Sequence, residues 1–168
     1  DRLARTLHGD ELKVAFAFLL TMPGVPFIYY GDEIGLRYVE NLVSVEGGYS
    51  RTGSRSPMQW NHGVNLGFSN ASPEKLYIPT DDKPNSPTVE DQMKDPNSLY
   101  YEVKKLIALR REHSALLSDG DIEFVSDGAD GSPLAYIRSS ADEKILVVIN
   151  PADREAVLNV PGDWKETL

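Results

Sequence analysis

Cysteine is absent from all 168 residues. That excludes disulfides, thiol nucleophiles and cysteine-ligated metals. Long apolar runs are missing too. The longest, Val14 to Met22, is interrupted by Thr21 and falls well short of the roughly 20 residues that cross a bilayer. Positive charge is scarce: 17 basic residues face 26 acidic ones, for a net charge of −9. Such a surface repels phosphate backbones and anionic lipid, so neither nucleic acid nor a membrane is an expected partner, whereas a neutral sugar, like almost any neutral metabolite, is compatible with it. The three histidines, His8, His62 and His113, lack metal-ligand spacing. Gly47-Gly48 lacks the strand-to-helix context of a phosphate loop. Asp81-Asp82 lacks the ligand spacing of an EF-hand. No metal and no cofactor are expected. Hydrophobic residues at 40% and charged residues at 26% still describe a chain able to build a core.

What is present divides into three stretches. Residues 9–22 suit a largely buried helix, with charge only in the first turn, and Pro23-Gly24 stops it. Val25 to Tyr30 is a short apolar run between breakers, which predicts a strand buried on both faces, as in a parallel sheet. Residues 31–96 hold no strong period and are rich in Gly, Pro, Asn, Ser and Asp, as expected of a functional excursion. A second helix begins after Ser98, a suitable N-cap, with Leu99, Val103, Leu106, Ile107 and Arg110 on one face. Arg110, Arg111 and His113 close it, where cations favour the helix dipole. Beyond Leu117 the period becomes two, predicting strands at 122–125, 134–138, 145–149 and 156–160 joined by short turns. The expected organisation is α/β over 1–117, followed by an all-β antiparallel domain over 118–168.

Chemistry is expected first at the carboxyl end of strand 25–30, where Gly31-Asp32-Glu33-Ile34-Gly35 follows. Asp32 and Glu33 are poor candidates for a glycosidase acid and nucleophile. Those carboxyls stand roughly 5 Å apart across one bond in retaining enzymes, whereas neighbours on an extended chain point to opposite faces. Capping the turn or pairing with basic residues is the plainer role. The segment Arg51 to Asn61, followed by Asn65 to Ser69, offers guanidinium, amide and indole groups that suit a neutral polyol. The same residue types equally suit a lid that Trp60 and Phe68 plug onto the rest of the fold.

Three motifs carry a family resemblance. Pro23-Gly24-Val25-Pro26-Phe27-Ile28-Tyr29-Tyr30-Gly31-Asp32-Glu33-Ile34-Gly35 resembles the eighth-strand motif of the α-amylase superfamily. Arg55-Ser56-Pro57-Met58-Gln59-Trp60-Asn61 with Asn65-Leu66-Gly67-Phe68-Ser69 resembles the loop that follows in α-glucosidases, oligo-1,6-glucosidases and trehalose synthases. Leu109-Arg110-Arg111-Glu112-His113 resembles the end of the last barrel helix. The resemblance implies the C-terminal part of a (β/α)8 barrel, its last helices and eighth strand, then an incomplete antiparallel β-domain that Asp163 to Leu168 would continue. It also implies a retaining enzyme acting on α-glucosidic bonds through an Asp nucleophile, a Glu acid/base and a second Asp.

Only one position touches those catalytic motifs. Arg2 resembles the arginine just after the seventh-strand Asn-His-Asp, with Asp1 as a spacer. No catalytic residue is therefore assigned here, and the fragment alone is expected to be inactive. Arg55 is expected near the aglycone side of a sugar pocket, with Tyr30, Asp32 and Glu33 at its rim. The implied partners are an α-linked oligosaccharide and the missing N-terminal part of the barrel. Self-association is expected if strand 25–30 keeps open edges. The competing reading is a non-catalytic carbohydrate-binding or scaffold module with Trp60, Trp164 and Tyr49 as stacking platforms.

Overall fold

A computed structural model describes residues 1–81 and 83–165. Asp82 of the acidic pair, and the end of the 163–168 segment, lie outside the described residues. The regular elements are helices α1 (Asp10–Thr21), α2 (Val89–Lys94) and α3 (Leu99–Glu112), and strands β1 (Asp121–Asp127), β2 (Leu134–Ser139) and β3 (Lys144–Ile149). The strands form one antiparallel sheet in the order β1-β2-β3. Its register pairs Phe124 with Tyr136 and Tyr136 with Val147, and a bulge separates Phe124 from Ser126. The chain forms two compact units: Asp1–Lys13 with Phe27–Lys104, and the described residues of Val14–Pro26 with Lys105–Leu168.

In the first unit Leu12, Ile34, Leu36, Val39, Leu99 and Val103 are buried. The turn that seats Ile34 depends on Gly31, whose φ is +85° and whose hypothetical Cβ would lie 2.7 Å from Leu36 Cδ2. Only glycine combines that backbone conformation with that approach. The excursion is not structureless. Short 3-10 turns stud it, and α2 closes it, with Thr88 as N-cap accepting from the Asp91 amide. Thr88-Val89-Glu90-Asp91 is a capping signal that the sequence reading passed over.

In the second unit Phe16, Leu20, Leu106, Ala115, Leu116, Ala135, Tyr136 and Ile149 are buried. The last carbonyls of a helix have no partner inside it. At the end of α1 two arginines supply partners. Arg110 donates to the carbonyls of Leu20 (2.7 Å), Met22 (2.8 Å) and Gly24 (2.6 Å). Arg138, with no exposed surface, donates to the carbonyls of Thr21, Leu117 (2.8 Å), Gly120 (3.1 Å) and Asp121 (3.1 Å). The Tyr136 hydroxyl meets Thr21 Oγ1 at 2.6 Å.

Two expected strands are corrected. Residues 25–30 belong to no strand, and they are not interior: Val25 is 73% and Phe27 86% exposed. A strand exists only as one side of a ladder, and among the described residues no neighbour pairs with this segment. Residues 156–160 likewise stay outside the sheet, with Val157 89% exposed. The apolar pattern is real in both; the pairing that would turn it into a strand is missing.

Candidate functional site

The four residues singled out for substrate binding, Tyr30, Asp32, Glu33 and Arg55, do not share one fate. Gly31 and Gly35, both left-handed, bracket the 3-10 turn Asp32–Ile34. Side chains one residue apart on such a turn diverge by roughly 120°. Asp32 turns inward and Glu33 turns to an open pocket.

Asp32 meets Arg2, whose Nη1 lies 3.1 Å from Oδ1. The Arg2 side chain is wholly buried. Its Nη1 also donates to the Tyr30 carbonyl, and its guanidinium lies over the rings of Tyr29 (4.3 Å) and Tyr30 (4.6 Å). Burial lifts the Asp32 carboxyl above its ordinary value, and the hydrogen bond and charge of Arg2 oppose that rise. Asp32 is therefore an anchor for Arg2 and has no place on the pocket wall. Arg2 Nε and Nη2 and Glu33 Oε2 are buried without a hydrogen-bond partner among the described residues.

Tyr30, Glu33 and Arg55 come together. They line a pocket of about 440 Å³ with Pro57, Met58, Trp60, Phe68, Tyr77 and Ile78. The Tyr30 hydroxyl donates to the Ser56 carbonyl at 2.9 Å, which ties the turn to the loop carrying Arg55. Burial, followed by the neighbouring Tyr29, raises the Tyr30 phenol above its usual range. It is therefore a neutral hydrogen-bonding group in the pocket at neutral pH.

The polar kit read from 51–61 divides. Arg55 and Trp60 face the pocket, whereas Gln59 and Asn61 serve the backbone. Gln59 is fully buried and donates to the Pro87 carbonyl; Asn61 Oδ1 accepts from the Gly63 amide at 2.8 Å. Trp60 is pinned on both sides. Its amide donates to Leu66 (2.8 Å), and its carbonyl accepts from the Glu90 amide (2.9 Å) at the start of α2. His62 Nε2 lies 2.6 Å from Asp91 on that helix. Leu66 holds φ +55° beside Asn65 at +49°, a strained pair for L-residues. The Asn65 amide steadies it by donating to the carbonyls of Ser69 and Ala71.

Tyr77 and Ile78 complete the lining, and no local sequence signal marked them. Tyr49 and Trp164, offered as further stacking platforms, are not among the lining residues. Tyr49 lies under Arg51 at 4.7 Å, and Trp164 donates to the Pro161 carbonyl. Chemically the pocket joins apolar and aromatic side chains to one guanidinium, two phenols and one carboxylate. That combination suits a polyol, whose C–H face stacks on an aromatic ring while its hydroxyls find fixed donors and acceptors.

Comparison with known proteins follows the same outline. The profile described as "Alpha amylase, catalytic domain" matches residues 2–120, and "Maltogenic Amylase, C-terminal domain" matches residues 122–167. A trehalose synthase of Pimelobacter sp. is 36% identical over 159 residues, an overlap covering 89% of this chain and 26% of the relative. A glucan 1,6-alpha-glucosidase of Streptococcus pneumoniae is 35% identical over 189 residues, covering 96% of this chain and 34% of the relative. Among solved structures, a mutant trehalose-6-phosphate hydrolase of Bacillus licheniformis superposes with a TM-score of 0.70 at 30% identity, over 90% of this chain and 31% of the other. A MutB mutant in complex with glucose gives 0.68 at 26% identity, over 83% and 29%. The chain thus spans a quarter to a third of these proteins' length.

Proposed function

The chain belongs to the alpha-amylase family, and from this we propose that it is one part of an enzyme that cleaves or transfers α-glucosidic bonds. Its names among relatives, trehalose synthase, glucan 1,6-alpha-glucosidase and trehalose-6-phosphate hydrolase, have α-linked glucose in common. In this reading residues 1–117 are the end of the catalytic (β/α)8 barrel with its long last loop, and residues 118–168 begin the β-domain. Val25–Tyr30, in no strand here, takes the place of the eighth barrel strand only where strands contributed by the rest of the enzyme pair with it. The substrate is an α-linked oligosaccharide.

One observation carries the functional reading: Tyr30 and Glu33 from one segment and Arg55 and Trp60 from another converge on one pocket. Each has a chemical task there. The Arg55 fork donates to sugar oxygens. The Glu33 carboxylate, part of the pocket lining, accepts from a sugar hydroxyl. The Tyr30 phenol stays neutral and closes the floor. Asp32 supports the rim indirectly, by holding Arg2 in place. No residue of this chain is assigned as acid, base or nucleophile; those roles fall to the rest of the enzyme.

The test uses an aryl α-glucoside. The complete enzyme is expected to turn it over, and this chain alone to match a buffer blank. In the complete enzyme Arg55→Ala is expected to raise KM about tenfold, the equivalent of one lost charged hydrogen bond, with a smaller fall in kcat. Turnover by the chain alone, or an unchanged KM in the variant, would refute the assignment.

A further inference from the structure

The part of the pocket lining supplied by Tyr77 and Ile78 is held by little. Residues 72–79 are mostly exposed, Tyr77 to 53%. Among the described residues, the backbone of 77–80 makes one non-helical backbone hydrogen bond, from the Val45 amide to the Tyr77 carbonyl at 2.9 Å. Three residues beyond Ile78, however, the chain is clamped. Asp81, with a side chain only 1% exposed, receives Arg37 Nε at 2.8 Å and Nη2 at 2.7 Å on the same carboxylate oxygen. The Lys83 amide donates to the other oxygen at 3.2 Å. Arg37 also reaches Ser86 Oγ (2.8 Å) and the Pro84 carbonyl (3.3 Å), and Ser86 turns back onto the Asp81 carbonyl (3.1 Å).

Arg37 lies two residues beyond Gly35, the C-cap of the turn that carries Glu33. The clamp therefore joins positions 44 apart in sequence, and every pocket residue beyond Glu33 lies between its two ends. Two guanidinium nitrogens on one oxygen of a buried carboxylate, with a backbone amide on the other, hold it by charge-assisted hydrogen bonds. We propose that Arg37 and Asp81 are positioning residues for the sugar pocket: their clasp holds Tyr77 and Ile78 in the lining with Glu33 and Arg55. Neither touches the pocket. They act through the register of the strap between them, and opening the clasp lets that part of the lining swing away. This role rests on the sugar-binding reading above.

Two variants of the complete enzyme test it. Arg37→Lys keeps the charge and loses the fork; Asp81→Asn keeps the shape and loses the charge. Either may be judged if the other fails to fold. Hydrogen exchange at the Val45 amide reports on the strap without any need for activity, and is expected to quicken about tenfold as the local opening becomes easier. KM for an oligosaccharide is expected to rise about fivefold, with kcat within about twofold, because uniform binding is lost and the reacting groups are untouched. Unchanged exchange at Val45 overturns the proposal. So does faster exchange with wild-type KM, even alongside a lower melting temperature, since that outcome describes a purely structural brace. An unmodified enzyme that turns over no α-glucoside instead removes the functional reading, and the exchange measurement still decides whether the clasp sets the wall.

Discussion

Replacing Arg138 by Met deletes a cation that has no exposed surface and keeps most of the volume of its stem. Four carbonyl oxygens lose a hydrogen bond, those of Thr21, Leu117, Gly120 and Asp121, and Leu117 keeps a backbone donor, the Gly120 amide at 3.2 Å. Hydrogen bonds to a charged group are each worth about 1.5–3 kcal/mol. The full sum is not recovered, because the guanidinium itself was desolvated at a cost of several kcal/mol. What dominates is the set of orphaned acceptors, about 1–3 kcal/mol for each one that water cannot reach. With the carbonyls nearest the surface rehydrating, the net loss is about 3–5 kcal/mol. Urea unfolding followed by far-ultraviolet circular dichroism reads this directly. With a slope of about 2 kcal/mol per molar urea, the midpoint falls by roughly 1.5–2.5 M. Arg138→Lys, which carries charge to fewer acceptors, is expected to fall between the two. A midpoint within about 0.5 M of the parent for Arg138→Met would refute the reasoning, because about 1 kcal/mol cannot contain four lost bonds.

Acid should weaken the contact between the end of α3 and the β2–β3 turn. His113 Nδ1 lies 2.5 Å from Glu143, and the Ala115 amide donates to the other carboxylate oxygen at 3.1 Å. The His113 hydrogen bond, ahead of the Ala115 amide, holds the Glu143 carboxyl below its ordinary value. A carboxyl lowered on folding contributes stability in full above its unfolded pKa, near 4.3, and loses it as pH falls through the folded value. Glu143→Gln is expected to flatten melting temperature against pH in that acid range; an identical acid limb in parent and variant would count against the pairing. Light scattering of this chain by itself is expected to show self-association, since Val25 and Phe27 lie open on backbone without a ladder partner. A stable monomer across a wide concentration range would contradict the strand assigned to residues 25–30.

Much of the local structure was legible. Pro23-Gly24 ends α1 at Thr21, Ser98 opens α3 at Leu99, and the period-two runs became β1, β2 and β3. These features are decided by groups within a few residues of each other. The failures share one cause: Val25–Tyr30 and 156–160 have strand composition, yet a ladder requires a second chain segment, which no local pattern encodes. At the pocket, the eighth-strand motif drew attention to Tyr30 and Glu33 and the loop motif after it to Arg55, and the structure brings these three together. Asp32 was grouped with them by the family resemblance; the plainer role read from its residue type, pairing with a basic residue, is the one it has, with Arg2. Tyr77 and Ile78 were invisible, being delivered by Arg37 and Asp81 from opposite ends of the excursion.

The two arginines at the end of α1 impose an order of events on a growing polypeptide. Arg138 stands 117 residues after the Thr21 carbonyl it covers, and Arg110 stands 90 after that of Leu20. At about 5–20 residues per second, the ribosome delivers the later one roughly 6–23 s after α1 has been made. Until Arg110 is made the tip of the nascent helix is bare, and until Arg138 follows the Thr21 carbonyl still lacks its cover, while Phe16 and Leu20 wait for a core that does not yet exist. A holding chaperone has its best opportunity on this protein in that window, before β2 emerges and seals the tip.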